Sequence, residues 1–216
     1  MYTVKEAFYS LQGEGAHTGR PSVFCRFSGC NLWTGKEKHR ESSECQFCDT
    51  DFIGTDGQNG GKFAQAHALA AHLDALWPTN SRNKYVVFTG GEPALQLDES
   101  LIQAMHNLGF EVAIETNGTL PLPAGIDWVC VSPKTTKPLV VNKGNELKLV
   151  YPQQDIIPGL FDELDFQHFY LQPMDQSHLP SNRIAPESTL SSTLSYCLQN
   201  PRWRLSLQTH KMLNID

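Results

Sequence analysis

Seven short apolar runs, each followed by a loop and often by a helical pattern, constrain the fold most strongly. The runs are rich in β-branched and aromatic residues, and the central ones are apolar at successive positions. Strands of a parallel sheet have this composition when both faces of the sheet are covered. We therefore predict an α/β fold with strands at 22–29, 84–91, 110–118, 127–134, 146–152, 168–175 and 203–210.

Amphipathic segments between these runs predict helices. The segment 63–77 carries one apolar stripe and is followed by Pro78, and the segment 98–109 begins at Asp98, a plausible N-cap, and stops at Gly109. Weaker helical patterns lie at 153–165 and 187–200. Alternating strands and helices build right-handed βαβ units. Without a repeat, a low-complexity tract or a long linker, we expect residues 1–216 to form a single domain, a small or incomplete barrel or an open sheet.

Polar motifs stand where five of the predicted strands end. They read TGGEP, ETNG, SPK, QPMD and QTH. Each motif alone would be interpreted as a turn, since glycine, proline and asparagine are common turn residues. The carboxyl edge of a parallel sheet, however, is where loops and backbone amides converge on ligands. The five motifs together predict one shared pocket at that edge.

Composition excludes several function classes. The chain has 216 residues and a formal charge of −6, which argues against bulk nucleic-acid binding through a basic face. No apolar run approaches the roughly eighteen residues that span a bilayer, so no membrane partner is expected. The N-terminal stretch MYTVKEAFYSLQGEG lacks the apolar segment of a signal peptide. We therefore expect a cytoplasmic protein.

Three of the six cysteines are clustered in the pattern C-x14-C-x2-C, at Cys30, Cys45 and Cys48. In a reducing compartment, clustered cysteines are more often metal ligands or redox groups than disulfide partners. The other three cysteines are flanked by apolar residues and are expected to be buried structural thiols; they are Cys25, Cys130 and Cys197.

Two metal sites fit the cysteine cluster. A structural zinc site could be completed by His17 or His39, although the usual second C-x2-C or histidine pair is absent. A [4Fe–4S] cluster is normally held by four thiolates, so three cysteines would leave one iron open to an exogenous chelator. The spacing alone leaves both alternatives open.

The motifs together resemble a known family. The three cysteines, with Phe47 before the last, and TGGEP are similar to radical S-adenosylmethionine enzymes. Their usual spacing is C-x3-C-x2-C, whereas this chain has an insertion at about 31–44. That insertion is matched by some 7-carboxy-7-deazaguanine synthases, which the chain resembles over nearly its whole length. The supporting motifs are LQGEG, FCRFSGCNLW, CDT, TGGEP, IETNG, VSPK, LQPMD and WRLSLQTHKMLNI.

The resemblance implies a fold, a reaction and its cofactors. The fold would be a modified or incomplete (β/α) barrel of the radical S-adenosylmethionine type. The reaction would be that of a radical carbon–nitrogen lyase. It would convert 6-carboxy-5,6,7,8-tetrahydropterin to 7-carboxy-7-deazaguanine with loss of ammonia, in queuosine biosynthesis. The [4Fe–4S] cluster would reduce S-adenosyl-L-methionine, and the resulting 5′-deoxyadenosyl radical would remove hydrogen from the pterin. S-adenosyl-L-methionine would be regenerated afterwards. Mg²⁺ and an electron donor such as flavodoxin are also implied, and a homodimer stays open.

The resemblance also assigns site residues. The cluster ligands are Cys30, Cys45 and Cys48, and the Mg²⁺ ligand is Thr50. The S-adenosylmethionine contacts are Phe47, Cys48, Asp49, Gly91, Ser132, Pro133, Lys134, Gln172, Pro173, Met174 and Asp175. The substrate contacts are Leu11, Gln12, Gly13, Glu14, Arg26, Thr89, His210 and the terminal carboxylate of Asp216, with Glu115 as a further wall residue.

Alternatives remain for single residues and for the whole chain. Arg26 can pair a substrate carboxylate bidentately, but it can equally form an internal ion pair. His210 can be a satisfied core histidine. Another radical enzyme, such as an activase that makes a glycyl radical on a partner protein, would use the same cluster. A non-catalytic zinc-binding module is the alternative from another class.

Overall fold

The fold is a single twisted sheet, with helices packed on one face and a cavity on the other. The computed structural model describes residues 1–78, 82–177, 179, 184 and 187–215. Its strands are β1 (Tyr2–Leu11), β2 (Pro21–Phe27), β3 (Gly61–Phe63), β4 (Lys84–Gly90), β5 (Phe110–Thr116), β6 (Trp128–Val131), β7 (Lys143–Tyr151), β8 (Asp165–Pro173) and β9 (Trp203–Leu205). Its helices are α1 (Ala66–Asp74), α2 (Glu99–Asn107), α3 (Thr189–Gln199) and α4 (Thr209–Leu213).

The sheet is open. Its strand order is β3-β1-β2-β4-β5-β6-β7-β8-β9, and every ladder from β2 to β9 is parallel. Only β1 runs antiparallel to its neighbours β2 and β3. Within the described part of the chain, β3 and β9 are edge strands that pair on one side only, so the strands form a partial barrel. The prediction of an α/β fold with an incomplete barrel is confirmed.

Side chains alternate along each strand between the core face and the cavity face of the sheet. On β2, Cys25 and Phe27 enter the core that α1 and α2 cover, while Arg26 faces the cavity. On β7, Leu147 enters the core beside α3, while Lys148 faces the cavity. Successive side chains of a strand point to opposite faces of the sheet, so one strand can contribute side chains to the core and to the cavity. Cys25 and Cys130 are buried as predicted, but Cys197 on α3 is only half-buried.

Two helices follow the predicted patterns closely. Leu69 and Leu73 of α1 are fully buried, and the helix ends before Pro78. In α2 the Asp98 carboxylate accepts a hydrogen bond from Leu101 N at 2.9 Å, which makes it the expected N-cap. Gly109 follows the helix with φ of +80°, a left-handed conformation that glycine adopts without strain. None of the described helices combines the length and apolar character needed to cross a bilayer.

Several boundaries predicted from sequence are wrong. Residues 153–165 contain a short 3-10 turn at Pro158–Phe161 and no α-helix, because a proline disfavours helical geometry at the residue before it. The strand predicted at 203–210 ends at Leu205. The chain then turns so that Thr209 N donates to Gly13 O at 3.0 Å, at the start of α4. The sequence patterns also did not predict β1 and β3, because charged residues interrupt the apolar pattern there.

Candidate active site

The carboxyl ends of the parallel strands surround a cavity of about 460 Å³. This volume lies within the usual range for small-molecule sites. The cavity brings together most of the residues assigned by resemblance; Cys30 and Pro133 are not among those that line it, and Asp216 lies outside the described residues. The lining members of that set are Leu11, Gln12, Gly13, Glu14, Arg26, Cys45, Phe47, Cys48, Asp49, Thr50, Thr89, Gly91, Glu115, Ser132, Lys134, Gln172, Pro173, Met174, Asp175 and His210.

A buried charged network forms the floor of this cavity. Lys148 Nζ lies 2.6 Å from Glu14 Oε2 and 3.3 Å from Glu115 Oε2, and its side chain is 4% exposed. Glu115 Oε1 accepts a hydrogen bond from Gln12 Nε2 at 2.9 Å. The amides of Gln172 and Gln208 donate to Glu14 Oε1 at 3.0 and 2.9 Å. Strands β7 and β8, the loop after β1 and the segment before α4 therefore meet at the Glu14 carboxylate.

The network favours the ionised forms of Glu14 and Lys148. Burial alone would raise the pKa of Glu14, but the Lys148 ammonium and the hydrogen bonds from Lys148 and Gln208 lower it. Burial likewise opposes the charge of Lys148, yet Glu115 and Glu14 outweigh it and raise the pKa of that ammonium well above its usual value. Two carboxylates around one ammonium leave the floor with an excess of hydrogen-bond acceptors. Lys148 was missed from sequence because it lies in an apolar-looking run.

Arg26 stands on the cavity side of β2. Its Nε donates to Glu6 Oε1 at 2.7 Å, so the internal ion pair considered from sequence is present. The Glu6 bond uses the Nε edge of the guanidinium, whereas the group carries five N–H donors in a planar fork. Arg26 also lines the cavity. The ion pair therefore orients the arginine and leaves donors on its Nη atoms for a ligand.

Glu92 connects two of the motifs in the interior. Its carboxylate is fully buried and accepts hydrogen bonds from Thr116 Oγ1 at 2.7 Å, Asn117 N at 2.8 Å and Ala94 N at 2.9 Å. Burial raises the pKa of this carboxyl, although the three bonds oppose that shift. The TGGEP loop after β4 and the ETNG loop after β5 are thereby held together. Sequence reasoning assigned no such role to Glu92.

The two glycines of TGGEP allow a close approach within the protein itself. A Cβ on Gly91 would lie 2.2 Å from Gly29 O and 2.8 Å from Cys30 Cβ, and a Cβ on Gly90 would collide with Phe27 O. Gly90 also has φ of +144°. The resemblance assigns Gly91 to cosubstrate binding, and the structure shows that both glycines make room for the chain at 27–30, which includes the first cysteine.

The cysteines lie on a loop at one end of the cavity. The Cys45 and Cys48 thiols interact, and the hydrogen bond from Cys45 is the main cause that lowers the pKa of Cys48. Cys30 Sγ accepts a bond from Leu32 N at 3.4 Å. The two histidines considered as zinc ligands are engaged elsewhere. His17 Nδ1 lies 2.8 Å from Tyr85 Oη, and His39 Nδ1 lies 2.9 Å from Thr34 Oγ1.

The donor set fits an iron–sulfur cluster better than a single ion. Among the described residues, no three His, Cys, Asp or Glu side chains are close enough together to hold one metal ion. A cluster spreads its thiolate ligands over several irons, so its cysteines need not converge on one point. The three thiols provide three of the four thiolates that a [4Fe–4S] cluster normally takes, so they fit a cluster with one protein ligand missing.

The wall beside the cysteines carries an unsatisfied polar group. The Ser132 hydroxyl is buried and has no hydrogen-bond partner within the part of the chain that the structure describes. Such groups normally find a partner, so a ligand in the cavity would supply one. Nearby, Lys134 Nζ lies 5.4 Å from the centroid of the Phe47 ring. These residues come from the loop after β6 and from the cluster loop.

Helix α4 covers another side of the cavity. Lys211 Nζ lies 2.8 Å from Asp49 Oδ2 and 2.5 Å from Asp175 Oδ2, which joins α4 to the cluster loop and to the end of β8. The His210 ring packs against Gly13, where a Cβ would lie 2.2 Å from Nδ1. His210 is therefore half-buried and part of the cavity wall. The Thr50 hydroxyl also lines the cavity, 3.4 Å from Asp49 Oδ1.

A parallel, incompletely closed sheet with a cysteine loop and a small-molecule cavity at its carboxyl edge defines a class. These features match the radical S-adenosylmethionine enzymes that the sequence resembles, and the comparisons with known proteins agree. No protein-family model matches the chain. It is 59% identical over 214 residues to the 7-carboxy-7-deazaguanine synthase of Bordetella pertussis, covering 99% of each chain. It is 56% identical over 216 residues to that of Burkholderia multivorans, again covering 99% of each.

A solved structure supports the same assignment. The crystal structure of QueE from Escherichia coli matches with a TM-score of 0.68 and 26% sequence identity, covering 95% of this chain and 93% of that one. The chain belongs to the 7-carboxy-7-deazaguanine synthase family. That membership decides against the glycyl-radical activase and against the non-catalytic zinc module.

Proposed function

We propose that this chain converts 6-carboxy-5,6,7,8-tetrahydropterin to 7-carboxy-7-deazaguanine with loss of ammonia, in queuosine biosynthesis. The observation that supports this most directly is the cavity floor, where two ionised carboxylates, an ammonium and an amide face a space of about 460 Å³. A pterin ring presents several N–H donors along one edge. A floor with an excess of ionised acceptors is suited to bind that edge.

The substrate half of the site would lie between β1, β2 and α4. Glu14 and Gln12 provide an acceptor and an amide for the ring edge, beside the backbone of Leu11 and Gly13. Arg26 supplies donors for the substrate carboxylate, since a guanidinium pairs a carboxylate in a bidentate manner. Thr89, Glu115 and His210 complete the wall, and the terminal carboxylate of Asp216 is a further proposed contact.

The cosubstrate half would lie between the cluster loop and the ends of β6 and β8. The buried Ser132 hydroxyl has no hydrogen-bond partner among the described residues and could bond to the cosubstrate. The Asp49 and Asp175 carboxylates can accept hydrogen bonds from its hydroxyl and ammonium groups. The Phe47 ring and Lys134 flank the same region. The proposed S-adenosyl-L-methionine contacts are Phe47, Cys48, Asp49, Gly91, Ser132, Pro133, Lys134, Gln172, Pro173, Met174 and Asp175.

Cys30, Cys45 and Cys48 would hold the [4Fe–4S] cluster. When bound, the cluster and the cosubstrate supply the reducing and hydrogen-abstracting chemistry that starts ring contraction at C6 of the pterin. The chain itself would hold the substrate carboxylate through Arg26. Lys148 pairs with Glu14 and Glu115 and lowers the pKa of Glu14, and both carboxylates can accept hydrogen bonds from the ring.

The remaining partners are proposed from the family resemblance. A Mg²⁺ ion would bind the Thr50 hydroxyl, a hard oxygen ligand, with waters and substrate oxygens filling the other positions. An external electron donor such as flavodoxin would reduce the cluster. The enzyme would work in the cytoplasm as a single domain with a cluster-loop insertion at 31–44, either alone or as a homodimer.

Anaerobic turnover tests this function. Reconstituted protein is incubated with dithionite, Mg²⁺, S-adenosyl-L-methionine and the carboxypterin, and the products are identified by mass spectrometry. We expect 7-carboxy-7-deazaguanine and one ammonia per product. Arg26→Lys protein should need a higher pterin concentration for the same rate, while omission of Mg²⁺ should slow turnover of both proteins. Full cluster occupancy without any deazapurine product would contradict the proposal.

A further inference from the structure

The insertion at 31–44 contains a buried arginine. Arg40 lies in a 3-10 segment, Glu37–Ser42, and is 6% exposed, although the surrounding sequence is charged. Its guanidinium carbon lies 4.1 Å above the centroid of the Trp33 ring. Buried arginines are rare unless their donors are engaged. The side chain therefore needs a specific set of partners.

Those partners include the backbone of the C-x2-C segment. Arg40 Nη1 donates to Gln46 O at 3.1 Å and to Cys48 O at 3.0 Å. Its Nε lies 2.9 and 2.8 Å from the two carboxylate oxygens of Glu37, which fixes the orientation of the guanidinium. Ser43 Oγ lies 2.8 Å from Cys45 O. Residues 40 and 43 thus bind three carbonyl groups between Cys45 and Cys48.

These bonds replace regular secondary structure. Residues 45–50 belong to no helix or strand, so their carbonyl groups have no ladder to join. Both bonds come from one nitrogen, Nη1, whose two N–H groups are fixed in the guanidinium plane that Glu37 orients, whereas a lysine ammonium rotates freely at the end of a flexible stem. Groups that bind the ligand loop from outside commonly set how firmly a metal group is held.

We infer that Arg40 is a positioning residue of the cluster loop: through Gln46 O and Cys48 O it holds the Cys45–Cys48 segment in the conformation that receives the iron–sulfur cluster. The inference rests on the proposed function for the identity of the cluster. It assigns the insertion the task of forming the ligand loop before any metal is bound, with Trp33 and Glu37 as the groups that hold Arg40 in place.

The test compares Arg40→Met and Arg40→Lys with two controls. Lys38→Met removes an exposed cation from the same 3-10 segment, and Leu73→Ala destabilises the core at a fully buried position of α1 far from the loop. In metal-free protein, amide exchange of residues 45–50 should speed up in Arg40→Met and less so in Arg40→Lys. Both controls should leave the exchange of residues 45–50 unchanged.

The second readout is how firmly the reconstituted protein holds the cluster. After anaerobic reconstitution, Arg40→Met should lose iron to a chelator about tenfold faster than wild type, with a broadened electron paramagnetic resonance spectrum, and Arg40→Lys should be intermediate. The inference is overturned if neither arginine variant changes the exchange of 45–50, or if Leu73→Ala reproduces the faster iron loss. If exchange responds but wild-type protein takes up no iron and sulfide, the loop role stands and the proposed cofactor fails.

Discussion

Replacing Lys148 by methionine removes the ammonium from the cavity floor and leaves two carboxylates facing each other. The side chains of Glu14 and Glu115 are only 14% and 22% exposed, so water does little to screen them. Loss of one partner from a buried ion pair costs about 3–5 kcal/mol of unfolding free energy. We expect the lower end, about 3 kcal/mol at neutral pH, because Gln172, Gln208 and Gln12 still donate to the carboxylates.

The loss of unfolding free energy caused by Lys148→Met should depend on pH and should grow as pH rises. In wild type the pKa of Glu14 is lowered, so its contribution is complete above its unfolded pKa of about 4.3 and is lost as pH falls. Without Lys148, the largest contribution that opposes burial is lost, and we expect the folded pKa of Glu14 to rise above that value although Gln208 still donates to it. The carboxylate then destabilises the fold as pH increases through the raised pKa. The Lys148→Met penalty should therefore be smaller at pH 5 than at pH 8.

Urea denaturation of metal-free protein under reducing conditions measures this effect at both pH values. The matched control is Lys137→Met, because Lys137 pairs with Glu44 on the surface, with side chains 62% and 43% exposed, and should cost less than about 1 kcal/mol. Adding Glu14→Gln to Lys148→Met should recover part of the loss. A Lys148→Met penalty below about 1 kcal/mol at both pH values would refute the reasoning.

Three further predictions follow from the site. Arg26→Lys keeps the charge but loses the bidentate geometry, so the KM for the pterin should rise about tenfold without a change in cosubstrate affinity; equal effects on both ligands would contradict this. Glu92→Gln places an amide donor against N–H or O–H donors, which should cost about 2–3 kcal/mol and lower Tm by about 5–10 °C in a melting experiment. Gly91→Ala displaces Cys30 and should lower iron and sulfide content after reconstitution, whereas Gly61→Ala, whose added Cβ meets only ordinary contacts at 3.5 Å, should not.

The parts of the fold that sequence predicts best are those with a single dominant signal. The central strand β4 is apolar at successive positions, and α2 carries an apolar stripe between a capping aspartate and a glycine. Both elements were therefore found close to their observed bounds. By contrast, Lys5 and Glu6 interrupt the apolar pattern of β1, and their charges are satisfied only by partners distant in sequence, such as Asp51 and Arg26.

The residues of the candidate site also fall into those that sequence motifs predict and those that they do not. Motifs at strand ends show which residues reach the carboxyl edge, because parallel strands all end there. They do not show which residues outside the motifs lie beside them in the folded protein. Lys148 lies inside an apolar-looking run, and Arg40 lies in a segment that reads as a solvated charged loop. Their burial depends on tertiary partners, Glu14 and Glu115 for one and the carbonyl groups of 46 and 48 for the other.

The most direct test asks whether the cosubstrate binds the iron that three cysteine ligands would leave open. Reduced, reconstituted protein is mixed with S-adenosyl-L-methionine labelled with ¹⁵N in the amino group and ¹⁷O in the carboxylate, and electron–nuclear double resonance is recorded. We predict hyperfine coupling from both labels, which shows direct ligation to the cluster. Absence of both couplings in protein with full iron and sulfide content would contradict the account.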